Sequence, residues 1–257
     1  MGKIIDISHH QVPSKIDYDK LAKQIDFAII RTQYGSRTLD RHYKTHHKEL
    51  RKRGVPTAAY AWVRGVSVND MKVEARDFYN RTKGLNPTFW FLDVEEKSMS
   101  NMRLGVSAYV DELRRLGAKK VGVYIAHHLY NTFNLDMSKF DAVWIPHYGK
   151  NNGTVNSKPS FPCDLHQYTS VGRLNGYNGN LDLNRIISNK PLEYFTGEER
   201  KTVKVKKEEN KSIPSTWAKE AWDWGKKNKI TDGTNPKNNM TREQMVTMLY
   251  RYDKMRK

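Results

Sequence analysis

Eight short runs rich in apolar and β-branched residues recur through the first 190 residues of this chain, and their spacing constrains the fold most. The first five alternate with charged amphipathic stretches that end at glycines, the pattern of parallel strands joined by helices. Eight such strands predict an α/β fold whose sheet closes into a barrel. The predicted strands span 3–8, 27–33, 57–63, 88–95, 121–126, 142–148, 163–169 and 180–185, and the predicted helices span 18–24, 41–53, 68–83 and 102–116.

The last three predicted strands depart from this alternation. The segments 149–162 and 170–179 between them are rich in Gly, Asn, Ser and Pro and show no helical period. A parallel crossover usually needs a helix, so we expect some antiparallel pairing near the end of the barrel. The predicted architecture is a modified TIM-like barrel of five βα units plus three further strands, over residues 1–191.

A polar tract of mixed charge follows the predicted barrel, and its low apolar content is typical of a linker over residues 192–212. Helical spacing resumes in residues 213–257, where Ser215 is a candidate N-cap and Thr241 begins a capping-box pattern that ends at Gln244. A helix–loop–helix module of this size has little stability alone.

Basic residues outnumber acidic residues along the whole chain, and the formal net charge is +17. The excess is +10 in residues 1–196, from 29 basic and 19 acidic residues, and +7 in residues 197–257, from 16 and 9. A spread of this kind favours non-specific attraction to a polyanion. Nucleic acid, an anionic membrane and the anionic polymers of a bacterial cell wall all qualify.

Cysteine usage and apolar patterning exclude several classes of protein. Cys163 is the single cysteine, so neither an intrachain disulfide nor a cysteine-rich zinc site is possible. The N-terminus lacks the apolar core of a signal peptide, and no apolar run approaches the length of a membrane span. We therefore expect a protein made in the cytoplasm, without membrane insertion and without a cofactor or metal.

Asp93 and Glu95 stand two residues apart at the end of the fourth predicted strand, so their carboxyl groups project to the same side. Two carboxylates on one face repel, whereas acid catalysis uses burial and like charge to separate two pKa values. A strand running into a solvated acidic loop is the alternative, since Glu96 follows. Asp6 and Asp182 lie in the first and last strands, which become neighbours in a closed barrel, so four carboxylates are expected at one mouth.

Aromatic residues stand at the ends of the intervening predicted strands. Each alone is more commonly a core residue, but a ring of them around an acidic mouth suits the apolar faces of sugars. Gln167 and Arg31 add polar groups of the kind that orient a ligand. The candidate aromatics are Tyr34, Tyr60, Trp62, Tyr124, Trp144, Tyr148 and Tyr168.

An ordered set of motifs extends from residue 1 to about residue 190. The motifs are Asp6-Ile-Ser-His-His-Gln11, Ile30-Arg31 with Tyr34-Gly35, Ala59-Tyr60, Phe91-Leu92-Asp93-Val94-Glu95, Val123-Tyr124, Trp144-Ile-Pro-His-Tyr148, Gln167-Tyr168-Thr169-Ser170 and Gly179-Asn-Leu-Asp182-Leu-Asn184. Together they resemble glycoside hydrolase family 25, the lysozymes of Chalaropsis type, found in fungi, bacteria and many bacteriophage endolysins. The resemblance implies a barrel of five βα units plus three further strands.

The resemblance also implies cleavage of the β-1,4 bond between N-acetylmuramic acid and N-acetylglucosamine in peptidoglycan. Carried over by position, Glu95 is the expected general acid, and Asp93 stabilises developing charge or orients the 2-acetamido group. Asp6 and Asp182 shape the electrostatics and hold the sugar at the reacting position. We expect burial and the charge of Asp93 both to raise the pKa of Glu95. Acetamido participation and another two-carboxylate route both stay open.

Two segments of the C-terminal module, 213–221 and 230–244, together resemble one S-layer homology repeat. Such modules bind secondary cell-wall polysaccharides, usually as three packed repeats, and this chain has one. The resemblance implies wall binding by residues 213–257, with avidity gained from two tethered modules. A helical hairpin docked on the barrel is the alternative, and the oligomeric state stays open.

Three other functions stay open. A metal-dependent polysaccharide deacetylase would use Asp6 together with a set of histidines, although adjacent histidines point to opposite faces of a strand. A nucleic-acid binder would use the net charge, although the basic residues are scattered and no specific motif is present. A non-catalytic wall-binding barrel would not need the four acids. The histidines of the deacetylase alternative are His9, His10, His127, His128 and His147.

Release through holin pores, as in a phage endolysin, would explain the absent signal peptide, with a bacterial or prophage autolysin as the alternative.

Overall fold

The computed structural model describes residues 2–197, 214–238 and 240–255. The chain forms two compact units, Met1–Arg200 and Lys201–Lys257. Within the described ranges, no helix combines the length and the apolar content needed to cross a membrane.

The described part of the first unit is a closed barrel of eight strands with one extra strand at its edge. The strands are β1 Lys3–Ile7, β2 Ile25–Tyr34, β3 Thr38–Leu39, β4 Thr57–Trp62, β5 Trp90–Val94, β6 Val121–Ile125, β7 Ala142–Pro146, β8 Leu165–Leu174 and β9 Tyr177–Ile186. β3 is the extra strand and pairs antiparallel with the end of β2. In the barrel, β1, β2 and β4 to β8 pair parallel in that order, and β9 closes the barrel by pairing antiparallel with both β8 and β1.

Helices pack on the outside of the barrel, where their apolar faces are buried. In the helix Met102–Leu116, Asn101 is the N-cap and accepts a hydrogen bond from the Leu104 N–H at 3.0 Å, and Gly117 ends the helix with a left-handed φ of 106°. Val106, Val110 and Leu113 of that helix are buried in the core outside the sheet. The helices of this unit are α1 Tyr18–Leu21, α2 Tyr43–Lys52, α3 Val68–Thr82, α4 Met102–Leu116, α5 Tyr130–Phe133 and α6 Leu192–Thr196.

The predicted barrel is confirmed, with three short elements that the pattern did not predict: β3, α5 and α6. The antiparallel pairing expected near closure is present in β8–β9 and β9–β1. However, β7 and β8 are parallel although residues 147–164 between them contain no helix. Strands β8 and β9 also extend through most of the predicted loop 170–179 as a hairpin, with Gly176 at its turn (φ 100°).

The first residues of the predicted linker, 192–196, form α6 and belong to the barrel by their packing. Phe195 is fully buried, and its ring stacks on Phe89 with centroids 5.8 Å apart. Residues 198–212 of the predicted linker lie outside the described residues.

The described part of the second unit contains two helices, α7 Lys219–Lys227 and α8 Arg242–Met255. The predicted capping box begins α8: Thr241 N–H donates to Gln244 Oε1 at 2.8 Å, and Gln244 N–H donates to Thr241 Oγ1 at 3.2 Å. Ser215, the other predicted cap, makes no side-chain cap bond. Trp224 and Tyr252 meet edge-on at 6.2 Å. No residue of α8 is buried, and Trp217 is 89% exposed, so the described residues of this unit form little core of their own.

Candidate active site

The carboxyl ends of the parallel strands meet at one mouth of the barrel, and all four predicted acids lie there. Asp6 is in β1, Asp93 in β5, and Glu95 directly after β5. Asp182 is in β9, directly opposite Asp6 in the antiparallel pairing that closes the barrel. The charges of Asp6 and Glu95 both act on the Asp182 carboxyl, so the four acids form one electrostatic cluster.

Asp6 is held by two side-chain amides. Its Oδ1 accepts hydrogen bonds from Gln167 Nε2 at 2.9 Å and from Asn184 Nδ2 at 2.8 Å. Gln167 in turn accepts the hydroxyls of Tyr124 at 2.9 Å and Tyr148 at 2.7 Å through its Oε1. The predicted ligand handle Gln167 is therefore engaged in positioning Asp6 in this structure.

Asn184 is a site residue to which the sequence analysis gave no role. It accepts the indole N–H of Trp144 at 2.8 Å and donates to Asp6, so it links the barrel core to the acidic cluster. Asn184 lies two residues after Asp182 in β9, so both project to the barrel interior. That period-two spacing is the signal that could have identified it.

Asp93 and Glu95 form a hydrogen-bonded carboxyl pair. Burial and then the negative charge of Glu95 raise the pKa of Asp93 well above its ordinary value. Asp93 Oδ1 is buried and has no hydrogen-bond partner among the described residues, so no donor stabilises a negative charge on that oxygen. The pair therefore retains a proton at pH values where an ordinary carboxylic acid has lost it.

Burial raises the pKa of Glu95 as expected, but the contribution of Asp93 has the opposite sign to the one the sequence predicted. The hydrogen bond between Asp93 and Glu95 lowers the pKa of Glu95. The charges of His128 and Arg31 lower it further. The expectation was wrong in sign because it counted the charge of Asp93 and not this hydrogen bond.

Asp6 and Asp182 also have raised pKa values. Burial raises the pKa of Asp6 to about 6, against the opposing hydrogen bonds from Asn184 and Gln167. Burial and the charges of Asp6 and Glu95 raise the pKa of Asp182 to about 8. Hydrogen-bond donors thus make Asp6 the more acidic of the two, and Asp182 is mostly protonated at neutral pH.

Arg31 is the cation that acts on the acid pair from β2, and a buried carboxylate holds it in place. Its Nε donates to Asp40 Oδ2 at 3.3 Å, and its terminal amino group contacts His9 Nδ1. Asp40 also accepts the backbone N–H groups of His9 at 2.7 Å and His42 at 3.0 Å. Burial and the Arg31 charge lower the pKa of His9, so its ring stays neutral and can accept. Asp40 was not predicted from the sequence.

The predicted sugar-binding aromatics lie at two depths. Trp144 is only 1% exposed and its indole N–H is bonded to Asn184, and Tyr60, Tyr124 and Tyr168 are also buried. By contrast, Tyr34, Trp62 and Tyr148 are half-buried at the rim. Contact between any of these rings and a sugar stays a prediction.

The histidines of the alternative metal site do not assemble one. Within the described ranges, no group of three His, Cys, Asp or Glu side chains is arranged to hold a metal ion. His127 and His147 instead pack ring against ring at 4.7 Å, and the Nε2 of His127 is hydrogen-bonded to Ser160.

The family model described as glycosyl hydrolases family 25 matches residues 5–177. GHIP of Streptococcus pneumoniae, described as a glycosyl hydrolase 25 that participates in host cell invasion, is 40% identical; the match covers 75% of this chain and 89% of that chain, with a TM-score of 0.72. The catalytic domain of ply40, an endolysin from a bacteriophage of Listeria monocytogenes, is 31% identical over 77% of this chain and 98% of that chain, with a TM-score of 0.71.

A lysozyme from Streptomyces coelicolor shares the fold at 21% identity, with a TM-score of 0.62 over 76% of this chain and 97% of that chain. No curated protein sequence matches the chain. The family model stops at residue 177, so the resemblance of residues 213–257 to an S-layer homology repeat stays a prediction.

Proposed function

The chain belongs to glycosyl hydrolase family 25 and is a glycoside hydrolase of the muramidase type, and we propose that it cleaves the β-1,4 bond between N-acetylmuramic acid and N-acetylglucosamine in peptidoglycan. The observation that supports this most is the Asp93–Glu95 pair, in which Asp93 is buried and the pKa of each carboxyl is raised, so that the pair keeps a proton at pH values where an ordinary carboxylic acid has lost it. A glycosidase needs such a proton for the leaving oxygen.

In the proposed reaction, Glu95 donates the proton to the glycosidic oxygen. Glu95 is the more exposed of the pair, whereas Asp93 is buried behind it. In this proposal the proton that the pair shares rests on Asp93 and passes to Glu95 across their hydrogen bond, which leaves Asp93 ionised as positive charge develops on the sugar. The transfer of one proton thus makes Glu95 the general acid and leaves on Asp93 a negative charge that stabilises the positive charge on the sugar.

Asp6 and Asp182 have complementary roles in this proposal. Asp6 is the more acidic and supplies negative charge, fixed in orientation by Gln167 and Asn184. Asp182 is mostly protonated near pH 7, so it can donate a hydrogen bond to the sugar at the reacting position. Both the acetamido route and the two-carboxylate route are compatible with these roles.

The second unit is proposed to bind secondary cell-wall polysaccharide. Its exposed aromatics, Trp217 and Tyr250, are of the kind that stack on sugar rings, and its net positive charge suits an anionic polymer. We also propose that the enzyme reaches the wall after holin-type release, which is supported by the likeness to a phage endolysin.

Digestion of purified peptidoglycan tests the proposal, with the new reducing ends identified by mass spectrometry. Muramic acid at the new ends is the expected result, and EDTA should not reduce the yield. Glucosamine at the new ends, or free amines without chain cleavage, would overturn the assignment in favour of another glycosidase or a deacetylase.

A further inference from the structure

Arg64, in the loop after β4, is fixed on three sides at the rim of the mouth. Its Nε donates to Glu96 Oε1 at 2.7 Å, and its guanidinium lies 4.6 Å from the centre of the Tyr34 ring. Its backbone N–H donates to both carboxyl oxygens of buried Glu74, at 3.1 and 3.2 Å. The Trp62 indole N–H also donates to Glu96 Oε1, at 3.1 Å, so the partner of Arg64 is itself held.

The outer edge of this guanidinium is unused. Among the described residues, Nη1 and Nη2 of Arg64 make no hydrogen bond, and the side chain is 49% exposed. Arg31, the other arginine at this mouth, is only 11% exposed and is bonded to Asp40 and His9. A fixed fork with two free terminal amino groups has the geometry that binds a carboxylate through two parallel hydrogen bonds.

Arg64 follows the strand that is hydrogen-bonded to the strand of the acid pair. Trp62, two residues before Arg64, is paired in register with Asp93, and Glu96 directly follows Glu95. A glycan whose scissile bond lies at Glu95 would therefore pass close to Arg64. The substituent that distinguishes muramic acid from glucosamine is a lactyl ether, which ends in a carboxylate or continues into a peptide stem that has carboxylates.

We propose that Arg64 binds a carboxylate carried on the lactyl side of the glycan, either the free lactyl group or the peptide stem, and so selects substituted strands. This inference rests on the proposed cleavage of peptidoglycan. Glu96 neutralises part of the Arg64 charge, so recognition depends on the two directed hydrogen bonds more than on net attraction.

The test compares wild type, Arg64→Gln and Arg64→Lys on four soluble glycans. Two have peptide stems and two have been stripped by an amidase, and one of each kind has its carboxylates converted to methylamides. Neutralising the carboxylates should raise the KM of wild type about tenfold, and Arg64→Gln should have this higher KM on both forms. Lysine should restore less than half of the lost discrimination, because it lacks the fork.

Arg115→Gln is the matched control, because Arg115 is an exposed arginine paired with Glu112 at the far end of α4 from the mouth. It removes the same charge and should leave the discrimination intact. A carboxylate effect only on stem-bearing glycans assigns the ligand to the stem, and an effect on stripped glycans assigns it to the lactyl group. An Arg64→Gln loss that is equal on charged and neutralised glycans, or no loss at all, overturns the inference. If wild type cleaves none of the four glycans, that result overturns the proposed function instead.

Discussion

Asp6 and Asp182 face each other across the seam where the first and last strands close the barrel. Closure of the sheet therefore forces two carboxyls together, and the fold accommodates them by keeping one mostly protonated. Donors from Gln167 and Asn184 favour the charge on Asp6, while Asp182 retains its proton to about pH 8.

Asp6→Asn should lower the pKa of Asp182. The asparagine can keep both amide contacts at its oxygen while it removes a negative charge that opposes ionisation of Asp182. We expect a fall of about one unit from its value near 8, with the pKa still above 3.8 because burial remains. Carboxyl ¹³C NMR titration, assigned with Asp182→Asn, measures it. An unchanged titration would show that the two groups are not coupled.

Asn184→Ala should destabilise the barrel and raise the pKa of Asp6. The change leaves the buried Trp144 indole N–H without its acceptor and removes one donor from Asp6. The expected loss is about 1–3 kcal/mol in the free energy of unfolding, measured by urea denaturation. Asn178→Ala, an exposed change in the same strand, is the control and should cost far less. Equal free energies of unfolding for Asn184→Ala and Asn178→Ala would show that the hydrogen bonds of Asn184 do not stabilise the barrel.

Glu74→Gln should flatten the pH dependence of stability. Burial raises the pKa of Glu74 from 4.5 to about 8, so the folded state binds this proton more tightly than the unfolded chain does. The resulting stabilisation is complete below pH 4.5 and is lost as pH rises to about 8. Wild type should lose up to about 4 kcal/mol more than Glu74→Gln over this window. Parallel pH profiles of the free energy of unfolding would contradict the assignment, and exposed Glu193→Gln is the control.

Trp217→Ala should weaken binding to purified cell walls and leave cleavage of soluble glycan unchanged. The indole is 89% exposed, so its removal costs little stability, and the lost contact is with a ligand. Cosedimentation with walls should show a several-fold weaker affinity. Unchanged cosedimentation would indicate that the second unit binds walls by another surface or not at all.

Most of the eight barrel strands were predictable because they contain a buried run with the apolar content of a core strand. In β9 the signal is instead the alternation of Leu181 and Leu183 with polar residues. The short elements β3, α5 and α6 were not, since two to five residues give no period to detect. The parallel β7–β8 pair was also missed, because the rule that such a crossover needs a helix does not hold for the irregular segment 147–164.

At the site, the four acids were predictable from strand position and from the resemblance. Asn184 and Asp40 were not identified because their roles depend on contacts that only the fold creates: Asn184 with Asp6 and Trp144, and Asp40 with Arg31 and the backbone of His9. The sign of the Asp93 effect on Glu95 also required the structure, since it depends on how deeply Asp93 is buried. Sequence spacing predicts which groups meet but not which of them holds the proton.

In the proposed reaction Glu95 delivers the proton to the leaving oxygen, and the rate at which Glu95→Gln cleaves peptidoglycan measures that contribution. The new reducing ends are counted by mass spectrometry, with Glu193→Gln as the control and thermal unfolding to confirm that each variant is folded. We predict that Glu95→Gln reduces kcat by about 10²–10⁴-fold while its fold stays intact. A folded Glu95→Gln enzyme that retains more than a few per cent of the wild-type rate would contradict the account.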